Sequence, residues 1–340
     1  MSNWYLQNGK DSDVVLNTKI SLSRNIKEFK FESRCSKEEK NKILETIEKI
    51  VSSLGYNLKL LKLKDMDDIT KMSLIEKNII SQDLLSNKDN NSAILINDEE
   101  NICIMINEID HIKIQVFSEG IGIEELNKLI IEIDQKLEKL VEYAYNEKYG
   151  YLTSCPIDLG TGYRISLMLH LPGLKYTGNL SKVLNILNNF GISIKGIYGE
   201  SNQSIGEIYE ITNKQTLGIS EDEIVKNMKK IVEKIIEQER IARKYLGNNQ
   251  IEFEDRVYRK FGILKNARIL PSNECLDLLS IVKLGTDMGV IKELDDLKIR
   301  KMSLYTKSFN LQKYYGKIMN RNERDIKRTE IIRKIINEKI

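Results

Sequence analysis

The sequence predicts a mixed α and β domain followed by a smaller helical one, and three observations predict it. Apolar residues alternate through Ile102, Ile104, Ile106, Ile112, Ile114 and Val116, the period of a half-buried strand whose successive side chains point to opposite faces. Ser36 with Glu39, and Ser220 with Glu223, are capping pairs set ahead of runs with helical apolar spacing. Beyond about residue 243 strand-type runs largely disappear.

A first helix is expected over 37–54, with Ile43, Leu44, Ile47, Ile50 and Val51 as its apolar positions and Gly55 as its stop. Strand-like runs follow at 57–63, 92–97 and 102–117, and the amphipathic stretch from Ile123 to Asn146 reads as one long helix. After a loop around Cys155 come a strand at 164–171, a helix at 180–190 closed by Gly191, and strands near 192–198 and 207–212. The helix opened by Ser220 carries Ile224, Met228, Ile231, Val232, Ile235 and Ile236 at helical spacing. The rest reads as helical, punctuated by Pro271 and ending in a charged helix over 322–338. The expected division is 1–242 and 243–340; three prolines and no low-complexity tract argue against a floppy linker, and no repeat is evident.

A chain of 340 residues that is 41% hydrophobic has the means for a large core. Although 30% of residues are charged, the net charge is only +3, so bulk charge gives no reason to expect nucleic acid. No run approaches the roughly 18 apolar residues of a membrane span, and MSNWYLQNGKDSD has no signal-peptide core, so a cytoplasmic protein is expected. Cys35, Cys103, Cys155 and Cys275 form no CxxC pair, and His111 and His170 are the only histidines, so neither a disulfide framework nor a protein-built metal site is expected.

Three stretches carry chemistry. "NEIDHIKIQ", 107–115, continues the alternation and places Asn107, Ile109, His111, Lys113 and Gln115 on one strand face. "CPIDLGTGYRISLMLHLP", 155–172, has Gly160 and Gly162 ahead of Arg164, a side chain able to fork onto a phosphate or carboxylate; a tight turn entering a strand reads equally well. Cys155 is either a nucleophile or a small buried hydrophobe. "KGIYGESNQSIGEIYEITN", 195–213, is a strand, a glycine-bearing loop and a strand, as any hairpin would be.

Taken together these stretches resemble the ATP:guanido phosphotransferases, and specifically the bacterial protein-arginine kinase (McsB-type) branch. "CPIDLGTG" is similar to the family's CPTNLGTG loop, "RISLMLHLP" to RASVMLHLP, "KGIYGE" to RGLYGE and "NEIDHIKIQ" to NEEDHIRIQ. "RDIKRT", comprising Arg324, Asp325, Ile326, Lys327, Arg328 and Thr329, resembles the RDxxRA motif of a phosphoarginine pocket found in that branch, with Thr329 in place of alanine. The resemblance runs nearly end to end. It implies an α+β fold, a phosphagen-kinase-like antiparallel sheet flanked by helices, followed by a helical C-terminal domain used for dimerisation. It also implies ATP and Mg2+, phosphorylation of arginine side chains on proteins, and as partners a Clp-type protease, a heat-shock repressor and a zinc-binding activator protein.

The resemblance assigns nucleotide contacts to Asn17, Thr18, Lys19, Ile20 and Ser21, to Asn78, to Lys113, to Arg164, Ile165, Ser166, Leu167 and Met168, and to Lys195, Gly196, Ile197, Tyr198, Gly199 and Glu200. Several of these differ from the family. Lys19 and Ser21 stand where the phosphate-gripping segment has arginines, Asn78 where it has a histidine, and Lys113 and Lys195 where it has arginines. The acidic position of the substrate loop is Gln203. Cys155 and Glu108 persist, but the family's proton acceptor falls on Ile109, which accepts no proton at any pH. A positioned base is worth about 10² to 10⁴ in rate. Strand alternation would turn Glu108 away from the Ile109 face, so its substitution for the base would need a bulge. Two readings follow: a protein-arginine kinase with a weakened site, and a non-catalytic relative that binds phosphoarginine proteins or Clp partners.

Overall fold

The computed structural model describes residues 3–86, 91–197 and 204–338. Its N-terminal part is built on an eight-stranded sheet of order β2-β3-β4-β5-β1-β8-β10-β9, in which every neighbouring pair is antiparallel. The strands are β1 (Val15–Arg24), β2 (Lys59–Lys62), β3 (Ala93–Ile96), β4 (Ile102–Ile106), β5 (Ile112–Glu119), β8 (Tyr163–His170), β9 (Ile192–Gly196) and β10 (Ile208–Asn213). A separate hairpin, β6 (Tyr145–Asn146) and β7 (Gly150–Tyr151), lies between them in sequence.

Helices α1 (Lys37–Leu54), α2 (Asp68–Glu76), α3 (Gln82–Ser86), α4 (Ile123–Glu138), α5 (Pro172–Tyr176), α6 (Leu180–Asn189) and α7 (Glu221–Gly247) flank the sheet. Then follow α8 (Gln250–Asn266), α9 (Ser272–Asp287), α10 (Asp296–Tyr305), α11 (Ser308–Tyr315) and α12 (Arg321–Asn337), with no strand among them. Both expected capping boxes form, at Ser36 with Glu39 and at Ser220 with Glu223. Helix α7 runs unbroken through residues 242 and 243. No described helix is long and apolar enough to cross a membrane.

The sheet's two faces differ sharply. One buries Ile20, Leu22, Ile114, Val116, Ile165 and Leu167 against Ile43 and Ile47 of α1, Ile130 and Ile133 of α4, and Met228 and Val232 of α7. At about 1.5–3 kcal/mol per fully buried aliphatic side chain, this face anchors the strand order. The other face is apolar only towards β3–β5, where Ile94, Ile96, Cys103, Met105 and Phe117 pack with Trp4 and Leu74. Across β5, β1, β8 and β10 it is polar.

Three expectations are corrected. The run 102–117 is two strands joined by a turn over 107–111, because Asn107 adopts a left-handed φ of 55° and its N–H donates to His111 O at 3.0 Å. The helix expected to reach Asn146 stops at Glu138, after which Val141 and Tyr143 return to the core and β6 begins. A central strand, β1, and the short helices α2 and α3 occupy stretches to which local pattern reading assigned no element.

Candidate active site

Cross-strand register builds the polar face. Ser21 of β1 lies opposite Gln115 of β5 and Arg164 of β8; Ser23 lies opposite Lys113; Lys19 lies opposite Ser166; Glu210 of β10 lies between Met168 and Lys195. Since side chains alternate, only the odd-numbered members of 17–21 reach this face. Thr18 points the other way and donates its hydroxyl to Gly120 O at 2.7 Å, and Ile20 is core. Likewise Arg164, Ser166 and Met168 share the polar face, whereas Ile165 and Leu167 are core. Gly196 is buried, Ile197 follows β9, and Tyr198, Gly199, Glu200 and Gln203 lie outside the described residues.

Lys113, Lys19 and Arg164 each have a carboxylate partner. Lys113 Nζ donates to Glu108 Oε1 and Oε2 at 3.1 and 3.3 Å. Lys19 Nζ is 3.7 Å from Glu210. Arg164 Nε donates to Asp158, while its two terminal nitrogens donate to Asn213 O and Ile157 O, each at 2.7 Å. The arginine fork therefore fastens the cysteine loop, including the short turn Pro156–Asp158, to β8, and two of its five N–H groups remain for a ligand. Partly buried Cys155 heads this loop. Gly160, at φ 108°, has no room for a Cβ, which would meet Thr216 O at 2.4 Å.

The polar residues of "NEIDHIKIQ" divide by task. Asn107 donates to Lys40 O and Asn91 O at 3.0 and 2.8 Å. Asp110 Oδ1 accepts from Asn25 Nδ2 and from the Ser154 N–H, both at 2.7 Å, tying β1, this turn and the cysteine loop together. His111 Nδ1 accepts from the Ile26 N–H at 3.1 Å, so the ring is the neutral Nε2–H tautomer, donating to Lys30 O at 2.8 Å. Burial lowers its pKa against the raising influence of Lys30 O and nearby acids, in keeping with that neutral form. These three side chains shape the turn.

Glu108 and Ile109 are what the turn offers to the site. The Glu108 carboxylate is buried and accepts from Ser81 Oγ, Lys113 Nζ and the Ile109 N–H. Burial pushes its pKa up, yet Lys113 and these hydrogen bonds outweigh burial and hold it below the ordinary glutamate value. The expectation that strand alternation turns Glu108 from the site is corrected, because residues 107–111 are a turn and Glu108 sits beside Lys113 on the polar face. Ile109 is 36% exposed and contributes no polar side-chain atom.

At one end of the face, a cavity of about 140 Å³ opens between the sheet and helices α9 and α10. It brings Asn17, Asn78 and Met168, three positions that the resemblance assigns to nucleotide, together with Ser280, Lys283 and Arg300. Asn78 reaches it from the left-handed residue after α2, at φ 60°. His170 Nδ1, Trp4 Nε1 and Arg300 Nε are buried beside it without a protein hydrogen-bond partner, so the lining has polar capacity to spare for a nucleoside. No group of three or more His, Cys, Asp or Glu able to hold a metal ion occurs among the described residues. Mg2+ on a nucleotide takes most of its ligands from phosphates and water, so this donor set is compatible with it.

The stretch Arg324–Thr329 on α12, which resembles a phosphoarginine-pocket motif, is split between inside and outside. Arg328 and Asp325 are buried; Arg328 donates to Thr306 O, Leu270 O and Asp325 Oδ1 at 2.7, 2.5 and 2.6 Å. Thr329 is buried and donates to Ile326 O. Arg324 donates to Met319 O, Lys327 pairs with Glu330, and Ile326 is exposed. Arg328 Nε and Nη1 thus hold α12 against the chain at 270 and 306.

Local reading missed Ser81, Asp158 and Glu210. Glu210 had a signal, since the alternation of Tyr209 and Ile211 fixes its face once β10 is placed beside β8.

Comparison with known proteins adds two matches to family models: residues 38–242 match the C-terminal catalytic domain of ATP:guanido phosphotransferases, and residues 250–339 match the C-terminal domain of protein-arginine kinase McsB. The chain is 39% identical over 337 residues to a protein-arginine kinase of Clostridium acetobutylicum, covering 98% of this chain and 99% of that one. It is 40% identical over 338 residues to one of Bacillus pumilus, covering 98% and 93%. Among solved structures, the duplicated taurocyamine kinase of Schistosoma mansoni with bound transition-state-analogue components superposes with a TM-score of 0.61 at 26% identity. That superposition covers 73% of this chain and 37% of the duplicated one. Lombricine kinase superposes with a TM-score of 0.59 at 24% identity over 68% of each chain, a likeness of fold.

Proposed function

Because this chain belongs to the ATP:guanido phosphotransferase family and to its protein-arginine kinase branch, we propose that it transfers the γ-phosphate of ATP to arginine side chains of proteins. The observation that carries this reading is the polar sheet face on which Lys19, Lys113 and Arg164 stand on three adjacent strands. Phosphoryl transfer is chiefly positioning and charge neutralisation, and a row of basic side chains on a rigid sheet supplies both. In this assignment Asn17, Asn78 and Met168 take the nucleoside end, Lys19, Lys113 and Arg164 the phosphates, and Cys155 with Glu108 the side on which the arginine arrives. When bound, Mg2+–ATP supplies the phosphoryl group and part of the charge neutralisation. Arginine-bearing proteins are the substrates. The Clp machinery, a heat-shock repressor and a zinc-binding activator are the partners in the cytoplasm that the family resemblance suggests.

The incoming guanidinium has to lose a proton, and this site is poorly equipped to take it. Ile109 has no basic atom, and Glu108, held low by Lys113, is a weak acceptor. Slow turnover follows. The binding-only reading finds no support in relatives named protein-arginine kinase. Phosphoarginine formed on an arginine-rich protein with Mg2+–ATP is the test, run beside Ile109→Glu. The expected result is measurable transfer by the wild type and an increase of about 10² to 10⁴ in kcat for the variant. No phosphoarginine from either protein would overturn the kinase reading.

A further inference from the structure

We propose that the rim around Cys155 selects acceptor proteins by the apolar side chains that flank their target arginine, an inference that rests on the phosphotransfer reading above. Three large aliphatic side chains stand in water on that rim: Ile157 is 57% exposed, Leu217 44% and Ile109 36%. The bonds that build the cysteine loop gather them around it. The Ser154 N–H donates to Asp110 Oδ1 at 2.7 Å, so Ile109 and Cys155 each lie one residue from that bond. Ile157 rides on the short turn Pro156–Asp158 that follows Cys155. Its carbonyl accepts from Arg164 Nη2 at 2.7 Å and from Thr216 Oγ1 at 2.9 Å, which draws Leu217 alongside. A Cβ on Gly160 would lie 2.7 Å from Leu217 Cα, so the two segments are in close contact.

Their place at the site identifies the occupant. Ile109 and Ile157 stand where the motifs NEEDHIRIQ and CPTNLGTG have glutamate and threonine. Each change takes a polar atom from beside Cys155 and leaves an aliphatic side chain, one on the turn and one on the loop. Exposed apolar residues scattered singly need no explanation, but these border the point at which the acceptor arginine arrives. Whatever covers them during turnover is therefore the acceptor itself. Covering them is favourable where the acceptor is apolar too, whereas a polar neighbour would give up water and gain no partner. The shape of an extended chain says which acceptor residues meet the rim. Such a chain advances about 3.3 Å per residue and turns successive side chains to opposite faces. With the arginine directed at Cys155 and Glu108, the side chains two positions before and after it face the enzyme, about 7 Å to either side. Those one position away face solvent. The favoured substrate is thus an arginine with large apolar residues two positions to either side.

Competition within one reaction tests the assignment. Three peptides of equal length and charge, each with a single arginine, carry leucine two positions to either side of it, leucine one position to either side, or serine at all four places. They are incubated together with the full chain and Mg2+–ATP, and phosphoarginine on each is counted by mass spectrometry. The product ratio in such a mixture is the ratio of kcat/KM, which neither slow turnover nor a partly unfolded sample alters. Leucine at two positions is expected to be preferred over serine about tenfold, and leucine at one position to stay within about twofold of serine. Ile157→Thr and Leu217→Ser are each expected to lower the tenfold preference to about threefold, with the serine peptide labelled as by the wild type. A wild-type ratio near one, an equal preference at both spacings, or a ratio unchanged in both variants would overturn the proposal. So would phosphoarginine on an arginine-rich protein with none on any peptide, a result that leaves the phosphotransfer reading standing. Phosphoarginine on neither the protein nor the peptides would overturn that reading and this inference with it.

Discussion

What a side chain of the candidate site can still do depends on which of its hydrogen bonds are already spent. Asp110 has spent Oδ1 on two donors, the buried Asn25 amide and the partly buried Ser154 N–H. Asp110→Ala strands both, at a cost of about 1–3 kcal/mol for each unsatisfied group. Urea unfolding is expected to show that loss, and alkylation of Cys155 is expected to quicken because its loop is no longer pinned. Glu210 is the opposite case. Its carboxylate is 29% exposed and loosely paired with Lys19 at 3.7 Å, on the face where a triphosphate would bring several negative charges. Glu210→Gln both frees Lys19 and removes a repulsion. Titration calorimetry with Mg2+–ATP is expected to show affinity higher by about two- to fivefold, the effect of one partly exposed charge pair. An unchanged affinity would place the phosphates elsewhere on the face.

At the scale of elements, the pattern in the sequence was readable where one face of a strand or helix was buried and misleading where a turn carried apolar residues too. Helices α1, α6 and α7 are recoverable from caps and spacing, because Ser36, Ser220, Gly55 and Gly191 stop or start them by local geometry alone. The turn at 107–111 hides within the alternation because Ile106 and Ile112 flank it in phase, and the left-handed conformation of Asn107 leaves no apolar signature. β1 escapes local reading for a related reason. Lys19, Ser21 and Ser23 give it a hydrophilic face, and Arg24, buried against Asp134 with bonds of 3.1 and 2.7 Å, ends it on a charge. The family motifs nonetheless pointed to 17–21. Motif reading thus located the site's residues, whereas only the register decides that Lys19 faces it and Thr18 does not. The contacts that fasten the Arg164 and Arg328 forks to the chain are likewise invisible in sequence, since most of their acceptors are main-chain carbonyls from distant segments.

Over the whole molecule, the sheet and the C-terminal helices are joined by buried charges that also border the candidate nucleoside cavity. Arg243 of α7 donates to Glu239 at 2.7 Å and to Asp287 of α9 at 3.2 Å, and Lys283 donates to Asp287 at 3.1 Å. Beyond Lys283 lies Asp296 at 3.7 Å, then Arg300 at 2.9 Å, and Arg300 reaches Glu119 at the end of β5 at 3.2 Å. Burial pushes the Glu119 carboxyl up to about 8, more than Arg300 and Lys283 pull it down, and Asp296 adds to the rise. The folded state therefore holds this proton more tightly than the unfolded chain. The stability it lends is fully present below the ordinary glutamate value of 4.5 and is lost as pH rises through about 8. Melting curves between these limits are expected to show Tm falling towards alkaline pH, and Glu119→Gln is expected to flatten the fall, because glutamine cannot ionise. Parallel profiles for the two proteins would mean that the Arg300 pair keeps Glu119 charged throughout. Since Glu119, Lys283, Asp296 and Arg300 line the cavity with Asn17 and Asn78, the same ionisation should register in nucleotide binding. A free carboxylate there repels a triphosphate, so affinity for Mg2+–ATP is expected to decline over the same pH range in the wild type and to hold steady in Glu119→Gln.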